Sequence, residues 1–395
     1  MEKDTTDIIV DISKELSEPE WLLSFREERL RGALALPSSV QYGLGIAGLA
    51  PEEGVLFEGS PEYSVDASKG VEIYTWKEAV TQEEIVPYLE RLMQSELYPK
   101  SETQGEAYAS ALFRSGIVLY AQPSMDESGV LKEEKCTLTT TLMSGAGADV
   151  MVVIVKEGAK LFIENIYKGD GGTLARTLVV LGENDTHVTV VEKNSESKDG
   201  EIFLTKKALV AHHGTVVWRE FFAGNMLVKS HTDSVLIGEG SRADMFQGFI
   251  PQMGARHDIS ASVRHVASHT YSHIRAAGIG LDKTKTVYRG LIDMKHGVES
   301  VTGAQEGKFI VISPSSEVDA IPSLDIASNS VQCTHKLSVD YVHEGDIFYP
   351  KLRGFSDEES KRLFIEGHFA DVFAGEENEE IMNNIRRTLS SSESL

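Results

Sequence analysis

Val150-Met151-Val152-Val153-Ile154-Val155, a turn at Glu157-Gly158-Ala159, then Leu161-Phe162-Ile163-Glu164-Asn165-Ile166: the fold is decided by how this stretch is read. Both runs are apolar and rich in β-branched residues, and both have the length of a strand. A glycine-centred cluster parts them. The same unit recurs at 177–181, 188–191, 215–218, 235–237 and 309–312. Between the runs lie Gly182-Glu183-Asn184-Asp185, His213-Gly214, Gly238-Glu239-Gly240-Ser241 and Gly254-Ala255-Arg256. No helical stretch of about 10–15 residues interrupts the series, which argues against a doubly wound sheet. Strand and turn over residues 105–345 leave a sandwich, a propeller or a solenoid. There is no WD or kelch signature and no strict short repeat. The uneven spacing is best tolerated by a parallel β-helix with loops of varying length.

Outside this block the patterning is helical. Residues 1–104 read as helix and loop. Ser17-Glu18-Pro19-Glu20 has the form of a capping box ahead of Trp21, Leu22 and Phe25. Thr81-Gln82-Glu83-Glu84 has the same form ahead of Ile85, Tyr88, Leu89 and Leu92, with Pro87 expected to kink that helix or delay its start. Residues 37–61, rich in Gly, Pro and Ser, read as an extended connector. Residues 346–395 form a third region. Ser356-Asp357-Glu358-Glu359 is another capping box, Ile365, Phe369 and Val372 follow on one helical face, and residues 381–389 suit a further helix. The Ser-rich end is expected to be disordered.

The chain has 395 residues and a formal net charge of −23. Such a charge repels phosphate backbones and anionic lipid, so nucleic acid and membrane surfaces are poor partners. Two cysteines, Cys136 and Cys333, make no disulfide framework. The start lacks the pattern of a signal peptide, and no apolar run reaches the ~18 residues of a membrane span. A reducing cytoplasm is the expected location.

Cys333 and His335 are the main candidates for chemistry. In Val331-Gln332-Cys333-Thr334-His335 they stand two apart on a strand, hence on one face. A thiol and an imidazole side by side make half of a soft metal site, whereas zinc and iron–sulfur units need three or four ligands. The remainder must come from elsewhere in the chain, a second copy or a partner. If this strand is the outermost of its sheet, its edge invites another chain. His265, His269 and His273 would share a face if they lay on one strand, but a polar strand face explains them as well as a metal ladder does. His257-Asp258 has the form of a general-base pair without a nucleophile nearby. Cys136 reads as a packing or surface residue. No Walker A loop, Rossmann fingerprint, H-E-x-x-H or C-x-x-C is present.

Four stretches resemble the SufB/SufD family of Suf iron–sulfur cluster assembly proteins, over roughly residues 205–373. They are Ile321-Pro322-Ser323-Leu324-Asp325-Ile326 followed by the Cys333–His335 run; Phe348-Tyr349-Pro350-Lys351-Leu352-Arg353-Gly354; Val287-Tyr288-Arg289-Gly290-Leu291-Ile292; and His265 with Thr270 and Ser272. The resemblance implies a right-handed parallel β-helix flanked by helical N- and C-terminal segments. It implies pairing through the last strands and binding of a SufC-type ABC ATPase by the C-terminal helical region. A transient iron–sulfur cluster or iron would be held at the seam by Cys333 and His335. The chain itself is then a scaffold and not an enzyme, with ATPase activity residing in the partner. Cys333 matches the SufD-type cysteine, but the SufB-type scaffold thiol has no counterpart in Glu306-Gly307-Lys308-Phe309. Lys336 and Ala277 also depart from the SufB pattern. Either a homodimer or a heterodimer with a SufB/SufD-like chain satisfies this; the homodimer is favoured, because Cys333 is then the sole thiol donor. The alternatives are a regulator of an ABC ATPase that holds no cluster, and a polysaccharide-acting β-helix enzyme. The latter would need carboxylates gathered on one strand face.

Overall fold

A computed structural model describes residues 2–37, 57, 59–142, 144–169, 171–194, 200–373 and 379–391. Most of the expected connector and the Ser-rich end lie outside them. The strands form two sheets that the chain visits alternately. One runs in spatial order from Glu62–Ala67 through Leu131–Thr141, Lys160–Lys168, His187–Asn194, Thr215–Gly224, Arg242–Pro251, Tyr271–Gly280 and Glu299–Val311 to Ser330–Tyr341. The other runs from Val71–Thr75 through Ser115–Ala121, Ala146–Val155, Thr173–Gly182, Glu201–Val210, Leu227–Leu236, Arg256–His265 and Lys285–Met294 to Glu317–Ile326. Pairing is parallel along both series and turns antiparallel only at the N-terminal end. The protein is therefore a parallel β-helix, the architecture the uneven spacing favoured.

The pairing register explains why no repeat is visible in the sequence. Val188 stacks on Leu161, Val216 on Val188, Ala243 on Val216, Ser272 on Ala243, Gly303 on Ser272 and Cys333 on Gly303. The steps drift from 27 residues (161 to 188) to 31 (272 to 303), so no fixed period survives. At one corner the turns stack into a ladder. The Gly158 N–H donates to the Asn184 carbonyl at 3.0 Å, Asp185 to His212 at 2.8 Å, His213 to Glu239 at 3.0 Å and His269 to Glu299 at 2.9 Å. Each donor has a positive φ, which glycine adopts freely and Asp, Asn and His tolerate better than most residues.

Inside, apolar columns such as Ile163, Val190, Trp218, Met245 and Ile274 fill the coil. Beside them runs a buried polar lane. Arg176 pairs with Asp149 at 2.6 Å. Tyr167 and Asn165 donate to the Glu192 carboxylate at 2.5 and 2.6 Å. The Lys206 ammonium lies 3.0 Å from Glu220, which also accepts from Ser230 and Thr232. Burial holds the Glu192 carboxyl above its ordinary range, with Lys206 and its hydrogen bonds opposing.

The flanking helices pack on the outside. Helices Glu2–Glu15, Glu20–Ala33, Val86–Met93 and Gln104–Leu112 share a core with Val150, Val152, Val179 and Phe203. The buried Arg26 caps the last of these helices, donating to the carbonyls of Ala111 and Phe113 at 2.7 and 3.0 Å. Glu18 binds Arg26 at 2.6 Å and accepts from the Trp76 indole at 3.0 Å. Glu18 is thus a core ion-pair partner and no part of a capping box: Ser17 sits at φ 57° and the helix starts after Pro19 with no side-chain cap. Thr81 starts no helix either; its hydroxyl donates back to the Glu78 carbonyl at 2.8 Å. The helix that follows begins at Val86 with Pro87 in the first turn, the delayed start expected of that proline. Capping boxes form at Thr75 with Glu78, at Thr103 with Glu106 and, as expected, at Ser356 with Glu359. At the C-terminus, helices Asp357–Val372 and Glu379–Ser391 bury Ile365, Phe369, Val372, Ile385 and Leu389 against Phe221, Ile250, Ala277 and Ile310 on the first sheet.

Candidate functional site

The coil ends on two strands, Glu317–Ile326 and Ser330–Tyr341, one from each sheet. Each is hydrogen-bonded on one side only among the described residues. Parallel register carries the inward and outward alternation of the preceding rung onto them. Cys333 lies over Gly303, His335 over Gln305, Leu337 over Gly307 and Val339 over Phe309. All four positions beneath are buried, so Cys333 and His335 share the inward face of the last rung. Opposite them, Val318, Ala320, Pro322 and Leu324 continue the inward columns of the second sheet. Nothing among the described residues stacks on this rung. Its inward residues are half-buried or exposed, whereas those one rung below are fully buried.

Cys333 is half-buried and packs on the solenoid core with Val331 and Leu324. Burial pushes its thiol pKa up, opposed by a backbone hydrogen bond from Thr334. His335 is exposed and lines a cleft of about 330 Å³ with Ala320, Pro322, Leu337 and Val339. The pair therefore presents a thiol and an imidazole on one inward strand face of the last rung, two donors where a soft metal site needs three or four. A metal must displace the thiol proton to bind sulfur. We expect iodoacetamide alkylation of Cys333 to reach half its limiting rate above pH ~8.5, the ordinary thiol value. Cys136, in the core with its pKa pushed up to about 11, serves as the unreactive reference. A midpoint at or below pH ~8.5 would contradict the burial argument.

The other sequence candidates are dispersed. His265, His269 and His273 do not share a strand face, because the strand breaks between them. His265 is buried inside the coil, with Nδ1 2.7 Å from Thr270 Oγ1 and Nε2 2.8 Å from Ser272 Oγ, and burial pushes its pKa down to about 4. His269 is a corner residue of the turn ladder. His273 faces outward beside Arg275, 3.2 Å away. Among the described residues no three His, Cys, Asp or Glu gather as a metal site. His257 and Asp258 are strand neighbours and point to opposite faces: His257 is buried inside, and Asp258 pairs with Arg289 outside. They are no general-base pair.

Two of the sequence motifs turn out to be packing devices near the last rung. His265, Thr270 and Ser272 tie a strand end to its turn. In Tyr288-Arg289-Gly290, Tyr288 packs at a tilt against Phe309 in the core, 5.3 Å between ring centroids, and Arg289 holds Asp258 outside. Gly290 leaves room for Gln305, whose Nε2 would lie 1.6 Å from any added Cβ. The buried lane of Lys206, Glu220 and Glu192 was not foreseen. Its one sequence signal is a charged residue at alternate, inward positions of otherwise apolar runs.

A family model described as SUF system FeS cluster assembly, SufBD core domain, matches residues 139–368, more than half of the chain. Similar curated proteins span nearly the whole chain. An iron–sulfur cluster assembly SufBD family protein of Staphylococcus saprophyticus is 23% identical over 430 residues, covering 94% of this chain and 89% of the relative. One of Staphylococcus epidermidis and one of Staphylococcus aureus are each 22% identical with the same coverage. The parallel solenoid, its flanking helices and this match together establish that the chain belongs to the SufBD family of the SUF iron–sulfur cluster assembly system.

Proposed function

We propose that the chain is a scaffold of this system: a cytoplasmic protein without turnover of its own that holds iron or a nascent iron–sulfur cluster at a seam between two chains. The observation that carries this reading is the bare last rung, an inward face bearing Cys333 and His335 with no layer above it among the described residues. Solenoids normally cover such ends. A second copy related by a two-fold axis would cover this one and bring two thiols and two imidazoles together, which matches the four ligands a cluster takes. The pairing edge is better supplied by Ser330–Tyr341, which has no proline in its 12 residues, than by Glu317–Ile326, where Pro322 lacks a donor. Native mass measurement of the purified chain tests the seam: the expected species is a dimer, reduced to monomer by Val339→Asp together with Tyr341→Asp. A monomeric wild type removes the homodimer.

The partner ATPase docks, in this reading, on the C-terminal region. Helix Asp357–Val372 itself turns Ile365, Phe369 and Val372 onto the solenoid, so deleting it would strip the core. The exposed apolar residues lie just before it: Phe348, Tyr349, Leu352 and Phe355, at 59%, 63%, 67% and 45% exposure. A patch of this kind marks a docking surface. Phe348→Ala with Leu352→Ala is expected to weaken co-purification with the system's ABC ATPase at least ~10-fold, typical of paired hot-spot losses, while leaving the dimer intact. Undiminished co-purification places the contact elsewhere.

A further inference from the structure

A cleft lies on the outer face of the second sheet, on the opposite side of the terminal strand from the inward face of the last rung. It encloses about 800 Å³ under the loop that carries Glu96, Lys100 and Glu102, and reaches Ser323 on the terminal strand. That volume falls within the ~300–1,000 Å³ of small-molecule sites. Its floor is set by register. Outward-facing Lys207, Asp233 and Ser262 stack in one column, His231 and Ser260 in the next.

Basic side chains, Lys100, Lys207, Arg264, Arg289 and Lys295, outnumber the acidic Glu96, Glu102 and Asp233 in its lining, although the chain as a whole carries −23 and Lys100 lies 3.7 Å from Glu96. The Lys207 ammonium is buried and donates to the Glu96 carbonyl at 3.2 Å. Burial pushes its pKa down; Asp233 pulls it back, and Arg264 and Lys100 push it further down. The Arg264 guanidinium is steadied by Asp293 at 3.0 Å, and Arg289 is held by Asp258. Arginine forks fixed from below, beside a buried ammonium, suit a multiply charged oxyanion, which accepts paired hydrogen bonds and relieves the crowding. A nucleic acid is disfavoured by the overall charge, and the loop limits the length of any occupant.

We propose that this cleft binds a small phosphate-bearing molecule through Lys207, Arg264 and Lys100. The test is calorimetric titration of the full-length protein with inorganic pyrophosphate at a fixed ionic strength of about 0.15 M, where long-range attraction is screened. Wild type is expected to bind saturably with one site per chain. Lys207→Met and Arg264→Gln are each expected to raise Kd about tenfold or more, the effect of one charge-assisted contact. The arginine variant keeps its neighbour paired, because Lys295 also reaches Asp293 at 2.7 Å. Asp233→Asn, which retains an acceptor for the Ser262 hydroxyl, is expected to lower Kd and decides the matter should the two basic variants fail to fold. The proposal is overturned by a wild type without saturable binding, by an unchanged Kd in both basic variants, or, where those do not fold, by an unchanged or higher Kd in Asp233→Asn.

Discussion

Cys333→Ser, and separately His335→Ala, is expected to abolish the visible absorption of the anaerobically reconstituted protein while leaving its circular dichroism and its dimer mass unchanged. The last rung gives the reason. Both side chains sit where the stack stops, so neither supports a layer above, and trimming them opens no enclosed cavity. Serine is a hard oxygen donor in place of a soft sulfur, and alanine has no donor. In a two-fold dimer each substitution removes two ligands at once, leaving two where a cluster takes four. Cys136→Ser is the control. That thiol is buried in the core at 1% exposure and should affect stability without affecting absorption. Full absorption in both the Cys333 and the His335 variant would end the seam reading and favour a regulator that holds no cluster.

The second large effect concerns the interior. Lys206→Met should destabilise the fold by roughly 3–5 kcal/mol, the cost of stranding a buried charge partner, which lowers Tm by roughly 4–6 °C in a chain of 395 residues. Methionine matches the lysine stem in volume, so the loss is electrostatic: the Glu220 carboxylate, 3.0 Å from the ammonium, keeps only its two hydroxyl donors. Adding Glu220→Gln should recover part of the loss, since the amide oxygen still accepts from Ser230 and Thr232. The deficit has a pH signature. Glu192 already has a raised carboxyl pKa in the folded state, and loss of Lys206 raises it further. A folded carboxyl that holds its proton above the unfolded value loses stability as pH rises past that value. The variant should therefore lie closest to wild type near pH 4–5 and fall furthest behind at neutral pH, with about 4.3 as the unfolded reference. A Tm within about 2 °C of wild type at pH 7 would show that the lane is wet and screened.

Much of this architecture was legible in the chain because its signals are local. Runs such as 150–155 and 161–166 are strands on any reading, and Ser356 with Glu359 caps its helix as the spacing requires. What escaped depends on pairing across a full turn of the coil. A step that drifts between 27 and 31 residues hides the repeat, and the inward or outward sense of Lys206 or His265 is fixed only by the rung beneath. The three histidines illustrate the limit: a spacing of four means one face on an unbroken strand, but His269 is a corner, and the chain turns between its neighbours. Two proposed capping boxes failed because their helices start elsewhere: one begins at Glu20 after Pro19, with Glu18 held by Arg26 of that same helix, and the other begins at Val86 with Pro87 in its first turn. The Cys333–His335 pair was read correctly as sharing a face because both residues lie on one continuous strand.

The two ends of the coil differ in kind. At the N-terminal end the strands shorten to 6 and 5 residues, reverse direction and carry Glu62, Asp66 and Glu72, all features that blunt an edge. The opposite end offers strands of 10 and 12 residues. A rod adhesive at one tip only stops growing once that tip is engaged. In the proposed seam, head-to-head docking would therefore saturate at two molecules, and the blunted opposite tip would not seed a filament.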